Sequence, residues 1–587
     1  MHKFIKKAIM VMALFAVTVF ASACSARTDR VWLDADGWRR AVVVGTTELS
    51  DNVPFTLDEQ GNTYFLLVDL VEEQHRFRLV GVDRSARVFV DQPLDVELSG
   101  RPRDPGFFYG AHGLEAFWVI DRDLYQMSID ADYGVQVRSI SNGRRVDNYA
   151  ASVDPQGQLS VWYSGGRTST GVYALHSEAS SSQAVLVDAD GRAPRLQYDK
   201  DGDLHAIWVR SSPDNTRKSI YYAEYPRGEY QEGIQENVYT ISSSITSRVE
   251  GPKLSLDAEN VYVLWVVVEQ SGHEAGTSKA RYIQFPKGDH PAGLQELELA
   301  VPNSHELDYS EPRQEAMAAG ERVYIDEYGT RVTSNVTEVF ASSGEADEVA
   351  VALRIRLPHL RNQTKIQVGV AYLAQEAVSS FQLITFSTGN SISPSLIADD
   401  DNQLYLTWVE AGEDNFRVFF SSTAADIKSG LRGITASELL DISAEVTFGV
   451  VSGMLLIYYP MMWMLAPGLV MILTSKLRRP DETFQSLGTL VSFLLSVGAY
   501  WFFKTFFLPD VLTYTPFSAW LPMIPDSWFL PLRVIFPAAI TLLAGYVSWR
   551  ATYGYNRNSP FFMLLIYMAI DGLLTMAVYG VVIYGGI

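Results

Sequence analysis

The sequence predicts an all-β propeller followed by an all-α transmembrane domain, and two patterns support this prediction. The first is a phrase that occurs three times, at 194–209, 252–266 and 394–409. The second is the strongly apolar composition of the last quarter of the chain. A phrase that recurs through a long segment is typical of a fold assembled from like β-units.

The repeated phrase has a fixed order of residue types. Each copy begins with proline, has an aliphatic residue two positions later, continues into an aspartate-led polar turn and ends in an apolar strand with Trp-Val. Alternation in LHAIW and LYLTW puts every second side chain on one face, which predicts half-buried strands. The aspartate-led segment has the residues that turns require. Weaker copies lie at 55–68, 111–119, 151–163 and 316–325.

A second apolar strand commonly follows the phrase, at 172–177, 220–225, 281–285 and 417–422. Strand–turn–strand units spaced roughly 40–60 residues apart fit the four-stranded blade of a propeller. We therefore expect a propeller over 24–430 with about seven blades, six to eight being compatible with the spacing. The irregular stretch 320–390 is expected to hold an elaborated blade. A pair of β-sandwiches is the alternative architecture.

The repeat resembles those of bacterial exported propellers loosely related to the sialidase and BNR-repeat proteins. The resemblance covers 25–430 and concerns the repeat alone. In the family's Asp-box, Ser-x-Asp-x-Gly-x-x-Trp, the tryptophan follows the aspartate by five positions. Here Trp208 follows Asp199 by nine positions and Asp201 by seven. Because the Asp-box is not matched, the resemblance implies the fold and does not imply sialidase activity.

The charge of the propeller segment restricts its partners. Residues 25–440 contain 37 basic and 61 acidic side chains, a net charge of −24. A surface of this sign repels phosphate backbones, so nucleic acid is excluded as an expected partner. Cations, basic proteins, peptides and neutral glycans remain compatible with it.

The N-terminus has the pattern of a secretory signal peptide. Residues 1–23 contain a basic start, an apolar run and small residues immediately before Cys24, which is the only cysteine of the chain. This arrangement resembles the lipobox of bacterial lipoproteins and predicts lipidation of Cys24, although Ala21 stands where the family usually has leucine. The alternatives are ordinary cleavage with a bystander thiol and an uncleaved anchor.

Four apolar runs in 447–587 predict a transmembrane domain of four helices. Each run approaches or exceeds the ~20 residues that a helix needs to cross a bilayer. Pro460 and Pro467 are expected to break or kink the first span, and 431–446 is expected to be a linker or a short amphipathic helix. The runs lie at about 447–474, 487–508, 531–549 and 561–584.

Basic residues predict the orientation of these helices. The connections between spans one and two and between spans three and four are basic, whereas 509–530 has no lysine or arginine. Positive-inside reasoning puts the two basic connections in the cytoplasm, and Lys504 and Arg533 weaken this bias without reversing it. We therefore expect residues 24–446 and the C-terminus to be extracytoplasmic on a bacterial cytoplasmic membrane.

Asp571 is the one charged residue near the middle of a predicted span. An ionised carboxylate in hydrocarbon is energetically costly, so it should face the bundle, be partnered, or stay protonated. It is either a proton or cation site or a hydrogen-bonding residue in helix packing, where a Tyr or Thr hydroxyl would be its partner.

No catalytic, cofactor-binding or metal-binding residue is assigned from the sequence. Asp199, Asp201 and Asp203 have the 1-3-5 spacing of a calcium loop, but positions 6 and 12 of that loop are Leu204 and Arg210 instead of Gly and Glu. A polar turn is the better interpretation. His205 occupies the place of a tyrosine in the other copies of the phrase, which favours a structural role.

These observations predict a membrane-anchored extracytoplasmic propeller that acts as a binding or scaffold module. Its ligand would be a protein, a peptide or a glycan, and a place in an envelope complex is expected. A glycan-cleaving, sialidase-like hydrolase is one alternative, although the sequence favours a protein that is not an enzyme. An ion-coupled transport component that uses Asp571 is the other.

Overall fold

The computed structural model shows a chain with two compact units, one formed by β-strands and one by helices. The described residues are 37–38, 41–85, 87–165, 171–175, 184–214, 216–228, 235–272, 275–288, 293–299, 301, 323–324, 335–341, 348–359, 363–374, 377–385, 390–399, 401–412, 415–424, 447, 450–451, 453–456, 458–476, 487–508, 510–513, 528–553 and 559–584.

Seven β-sheets of the described chain are the blades of a propeller, and their paired strands run antiparallel. The first blade contains β2 (Phe55–Leu57), β3 (Thr63–Val71), β4 (Gln74–Val82) and β5 (Val88–Pro93). The second contains β6 (Arg103–Gly110), β7 (Gly113–Ile120), β8 (Asp123–Ile129) and β9 (Val135–Ser139). The third contains β10 (Val146–Val153), β11 (Leu159–Gly165), β12 (Val172–Leu175) and β13 (Val185–Asp188).

The next two blades have the same four-stranded form. The fourth contains β14 (Arg192–Tyr198), β15 (Leu204–Ser211), β16 (Arg217–Tyr225) and β17 (Glu236–Ser242). The fifth contains β18 (Ser247–Leu256), β19 (Asn260–Glu269), β20 (Ser278–Pro286) and β21 (Leu297–Glu298).

The sixth blade has five strands, which confirms the elaborated blade expected within 320–390. It contains β22 (Val323–Tyr324), β23 (Val336–Ala341), β24 (Val349–His359), β25 (Gln363–Ala374) and β26 (Ala377–Leu383), and β22 is added beyond β26.

The seventh blade joins the two ends of the propeller. It contains β27 (Ser391–Ala398), β28 (Leu404–Ala411), β29 (Phe416–Ser422) and β1 (Val42–Thr47). The first described strand therefore pairs with the last described strand, and Thr46 lies opposite Arg417. This closure holds the ring together, and the seven blades confirm the central value predicted from the spacing.

The prediction of half-buried strands is wrong for the second strand of each strong repeat. In β15 the residues from Leu204 to Val209 are all buried, and the same holds for Val261 to Val266 in β19. Each face of a blade packs against a neighbouring blade, so both sets of alternating side chains are buried. The tryptophans of the repeats lie in this core at no more than 1% exposure: Trp118, Trp162, Trp208, Trp265 and Trp408.

The aspartates of the repeats organise the turns between the first two strands. Oδ1 of each accepts two backbone N–H groups, as in Asp199, which bonds the amides of Asp201 and Asp203 at 3.1 and 2.9 Å. Bonds of this kind hold a tight turn without help from solvent. The same pattern recurs at Asp58, Asp154, Asp257 and Asp399.

The described residues of the helical unit include three helices that are long and apolar enough to cross a bilayer, together with a shorter apolar helix. The chain turns at Leu456 and at 458–460, immediately before the shorter helix, as expected from Pro460, whereas Pro467 stays inside that helix. The described helices are α1 (Met461–Lys476), α2 (Leu487–Phe507), α3 (Asp510–Thr513), α4 (Phe529–Tyr553) and α5 (Pro560–Tyr584), of which α2, α4 and α5 are the long ones.

Candidate functional site on the propeller axis

The proline of the repeated phrase lies in a β-bulge of the innermost strand. In β14 the pairing with β15 shifts between Arg192 and Arg195, and in β18 the pairing with β19 shifts between Glu250 and Lys253. The residue before each of four such prolines has a positive φ: Asp104 (48°), Ala193 (50°), Gly251 (106°) and Ser393 (54°). For the three that are not glycine this conformation is uncommon, and such strain often marks functional sites.

The bulges fix the side chain that follows the proline. Arg195 and Lys253 take this position in blades four and five. In blade three the pairing shifts between Val146 and Asn148, and Tyr149 directly follows that shift. All three side chains are partly exposed. A bulge redirects a side chain relative to the regular ladder, so these residues are placed by backbone geometry.

Side chains from five blades meet at this level of the innermost strands. The charges of Arg195, Glu338 and Asp104 all act on Lys253, although these residues belong to blades four, six and two. Blades four and six adjoin blade five, whereas blade two lies across the ring, so Asp104 can act on Lys253 only near the propeller axis. We call Asp104, Tyr149, Arg195, Lys253 and Glu338 the axial cluster.

Two members of the axial cluster are held by specific partners. The Tyr149 hydroxyl donates to the carbonyl oxygens of Asp104 and Phe117 at 2.6 and 2.9 Å, which ties blade three to blade two. Glu338 forms an ion pair of 3.1 Å with Arg354 on the neighbouring strand. These contacts pre-organise one side of the cluster.

The two cations of the cluster have no ion pair with any carboxylate of the described residues. Arg195 donates through Nη1 to the carbonyl oxygen of Pro194 at 2.8 Å, and Lys253 Nζ lies 4.7 Å from the ring centre of Phe340. The charge of Arg195 acts on Lys253, and the repulsion between two partly buried cations is relieved when an anion binds between them. The arrangement therefore suits the binding of a negatively charged group.

The protonation equilibria of the cluster agree with this geometry. Burial, and after it the charge of Arg195, lower the pKa of Lys253 to about 8. Burial also lowers the pKa of Arg195, against the opposing charge of Asp104. Burial raises the pKa of Glu338, although Arg354 opposes the shift. Perturbed groups that share one location are typical of functional sites.

A second polar network lies inside blade four. His205 is fully buried in β15, where Nδ1 lies 2.7 Å from the Tyr222 hydroxyl and Nε2 lies 3.3 Å from Asp199 Oδ2. Tyr262 and Tyr405 make the corresponding bond to Asp257 and Asp399 in other blades. His205 thus braces the turn as the tyrosines do, which is the structural role expected from its place in the repeat.

Asp571 lies fully buried in α5 and has a cationic partner. Its Oδ2 accepts hydrogen bonds from Lys504 Nζ at 2.6 Å and from the Tyr500 hydroxyl at 2.7 Å, both on α2. Thr575 and Thr541 complete its surroundings at 3.4 and 3.5 Å. The Tyr and Thr hydroxyls match the helix-packing alternative, whereas the sequence did not identify Lys504 as the partner.

Other residues singled out from the sequence have simpler outcomes. Cys24 and the segment 431–446 lie outside the described residues. The turn at 199–203 bonds its own backbone amides, as the polar-turn interpretation expects. The described part of the chain contains no group of three or more His, Cys, Asp or Glu side chains arranged to hold a metal ion.

Sequence reasoning missed Arg195, Lys253 and Lys504. A usable signal existed for the first two, because the repeated phrase reads PRL, PKL and PSL, and the residue after proline varies while its neighbours recur. A variable position inside a fixed repeat is a place where one copy differs chemically from the others. From the sequence, Lys504 is only a charge that affects the predicted orientation of the helices.

The chain forms a seven-bladed β-propeller that contains the axial cluster, and it continues into apolar helices that are long enough to span a membrane. No protein-family model matches the chain, and no curated protein matches it.

Solved structures resemble the propeller only distantly. An ulvan lyase of polysaccharide lyase family PL25 is 8% identical with a TM-score of 0.41, and the match covers 69% of this chain and 100% of the lyase. An α-L-arabinanase from Penicillium chrysogenum is 16% identical with a TM-score of 0.32, covering 55% and 94%. A protein of unknown function from Dyadobacter fermentans is 9% identical with a TM-score of 0.34, covering 65% and 98%. Likenesses of this strength carry no argument about chemistry.

Proposed function

We propose that the chain is a membrane-anchored extracytoplasmic binding module whose propeller holds a protein, peptide or glycan ligand at the axial cluster. The observation that carries this proposal is the meeting of side chains from five blades around two cations that lack an ion pair among the described residues. A rigid ring with converging polar groups is a suitable binding surface, because little conformational entropy of the protein is lost when the ligand binds.

The helical unit supports the anchoring part of the proposal. Its long apolar helices expose leucine and phenylalanine side chains, such as Leu494 and Phe502 of α2, as a lipid-facing surface would. Lys504 already neutralises Asp571, which favours anchoring and packing over ion coupling as the role of these helices.

Site-specific photocrosslinking tests the binding function. A benzophenone amino acid replaces Arg103, which is exposed on the innermost strand β6 next to Asp104, in the full chain in its native membrane. The matched control position is Val137, which is 44% exposed on β9, the outermost strand of the same blade. We expect ligand adducts at position 103 and not at 137. Equal adducts at both positions, or none at 103, would contradict the proposal.

A glycan-cleaving hydrolase is the second candidate, and the raised pKa of Glu338 favours it, since a general acid in glycoside cleavage needs a raised pKa. The purified full chain would be assayed on fluorogenic glycosides. Glu338→Gln should abolish the hydrolysis, whereas Glu298→Gln, an exposed change on β21, should leave it intact. If the wild-type chain hydrolyses none of the glycosides, the hydrolase function is excluded.

A further inference from the structure

The hydrogen-bonding capacity of Arg195 is largely unused among the described residues. A guanidinium group has five N–H donors in a planar fork that matches a carboxylate. Within the described part of the chain, the Arg195 side chain makes one hydrogen bond, and its acceptor is the carbonyl oxygen of the preceding residue, Pro194. Its other donors are therefore available to a ligand on the axis.

Lys253 adds a second positive charge without a hydrogen-bond acceptor among the described residues. Its ammonium group contacts the face of Phe340 at 4.7 Å, which is an apolar neighbour with a weak attraction for cations. A ligand oxygen placed between Lys253 and Arg195 would receive charge-assisted hydrogen bonds from both. It would also remove the repulsion between the two cations.

The surrounding acidic groups limit the charge that such a ligand can have. Asp104, Glu338 and Glu250 all act on Lys253, and Glu338 is already paired with Arg354. The whole propeller segment is strongly acidic, with 61 acidic against 37 basic residues in 25–440. Because Asp104 acts on both Arg195 and Lys253 and offsets one of their two positive charges, a single negative charge completes the balance, whereas a dianionic phosphate or a polyanion would meet repulsion.

We infer that Arg195 and Lys253 form a binding site for one carboxylate group on the propeller axis. This inference rests on the proposed function and names the chemistry of its ligand. The carboxylate belongs to an acidic sugar or to the end of a peptide chain, and the same two side chains would receive it in either case.

Amine labelling of Lys253 tests this inference on the full chain in lipid nanodiscs. An acylating reagent modifies only the neutral amine, so Lys253 should react readily near pH 8, and peptide mass spectrometry measures its rate. The probes are D-glucuronate against D-glucose, and acetyl-diglycine against acetyl-diglycine amide. We expect the carboxylates to slow labelling and their neutral counterparts to have no effect, and the more effective carboxylate identifies the source.

A variant of the partner residue sharpens the test. Arg195→Gln keeps Lys253 as the reporter and should raise the concentration of carboxylate for half-protection about tenfold, since a charge-assisted hydrogen bond is lost. Arg217→Gln, an exposed change on β16 of the same blade, should leave it unchanged. Labelling of Lys218, whose Nζ donates to the carbonyl of Val249, should stay constant and so report an intact fold.

The outcomes separate this inference from the proposed function. Equal protection by the neutral probes, stronger protection by inorganic phosphate, or no protection at all would overturn the carboxylate site. If crosslinking at position 103 still succeeds in that case, the binding function stands with a different ligand chemistry. Protection by carboxylates without crosslinked partners would support the site and overturn the role as a binding module for a macromolecule.

Discussion

At the scale of single residues, the most consequential contact of the helical unit is the ion pair between Lys504 and Asp571. Both side chains are fully buried, and Tyr500 shares the same carboxylate oxygen. Removing either charge alone would leave the other without compensation in an apolar bundle. The pair therefore joins α2 to α5 in one rotational arrangement.

Asp571→Asn is expected to lower the free energy of unfolding of the helical unit by about 3 kcal/mol or more, because Lys504 stays buried without a counter-charge. The double change Asp571→Leu with Lys504→Met should recover most of this loss. Tyr546→Phe, an exposed change on α4, serves as the control. Unfolding in mixed micelles with increasing SDS measures each variant. An Asp571→Asn protein as stable as the wild type would refute the importance of the pair.

The Asp199 carboxylate of blade four predicts an acid-dependent stability. Burial raises its pKa, but hydrogen bonds from His205 and from the Asp203 amide, together with the charge of Lys287, outweigh burial and lower it to about 2. A depressed carboxyl pKa stabilises the fold above the unfolded value near 3.8, and this stabilisation disappears as the pH falls through about 2.

We expect Asp199→Asn to reduce the loss of stability between pH 5 and pH 2, because the amide keeps the turn acceptor and has no proton to gain. Denaturant midpoints measured across this range would show the difference. Asp201→Asn, an exposed change in the same turn, should follow the wild-type curve. Parallel acid profiles for wild type and Asp199→Asn would show that this carboxylate does not contribute.

At the scale of elements, turns and strands were predictable because their chemistry is local. The proline, aspartate and Trp-Val of each phrase locate β14, β15, β18, β19, β27 and β28 directly. Burial on both faces was not predictable, because it depends on neighbouring blades that are distant in sequence. The axial cluster and the Lys504–Asp571 pair depend on bulge position and helix rotation, which one-dimensional patterns do not contain.

Among the strands of the propeller, β1 should have the largest effect on the stability of the ring. Val44 is 6% exposed and packs with Phe65 of blade one and Phe420 of blade seven. Val44→Asp would bury an unpaired charge at the closure and should cost several kcal/mol. Val185→Asp, an exposed change on the outermost strand β13, should be nearly neutral.

Hydrogen exchange would follow the consequence of Val44→Asp blade by blade. Protection should fall first in blades seven and one, because the broken strand joins them. Uniform loss across all seven blades would instead mean that the ring unfolds as one cooperative unit, and unchanged protection would mean that β1 is dispensable.

At the scale of the whole molecule, the basic residues predict the orientation of the helical unit. In a Cys24→Ala background, single cysteines replace Ser486, between the first two apolar runs, or Ser518, between the second and third. A membrane-impermeant maleimide added to intact cells should label position 518 and spare 486. Labelling of both positions after the cells are opened is the control. The reverse pattern would invert the proposed topology.

The closure between β1 and β29 also affects how the protein folds while it is being synthesised. Thr46 and Arg417 are paired in the finished ring, but the ribosome makes them more than 350 residues apart. At about 5–20 residues per second, β1 waits on the order of half a minute for its partner. During that time its valines form an unpaired strand edge, which is prone to association with other chains. The ring thus requires protection of its first strand until its last strand has been made.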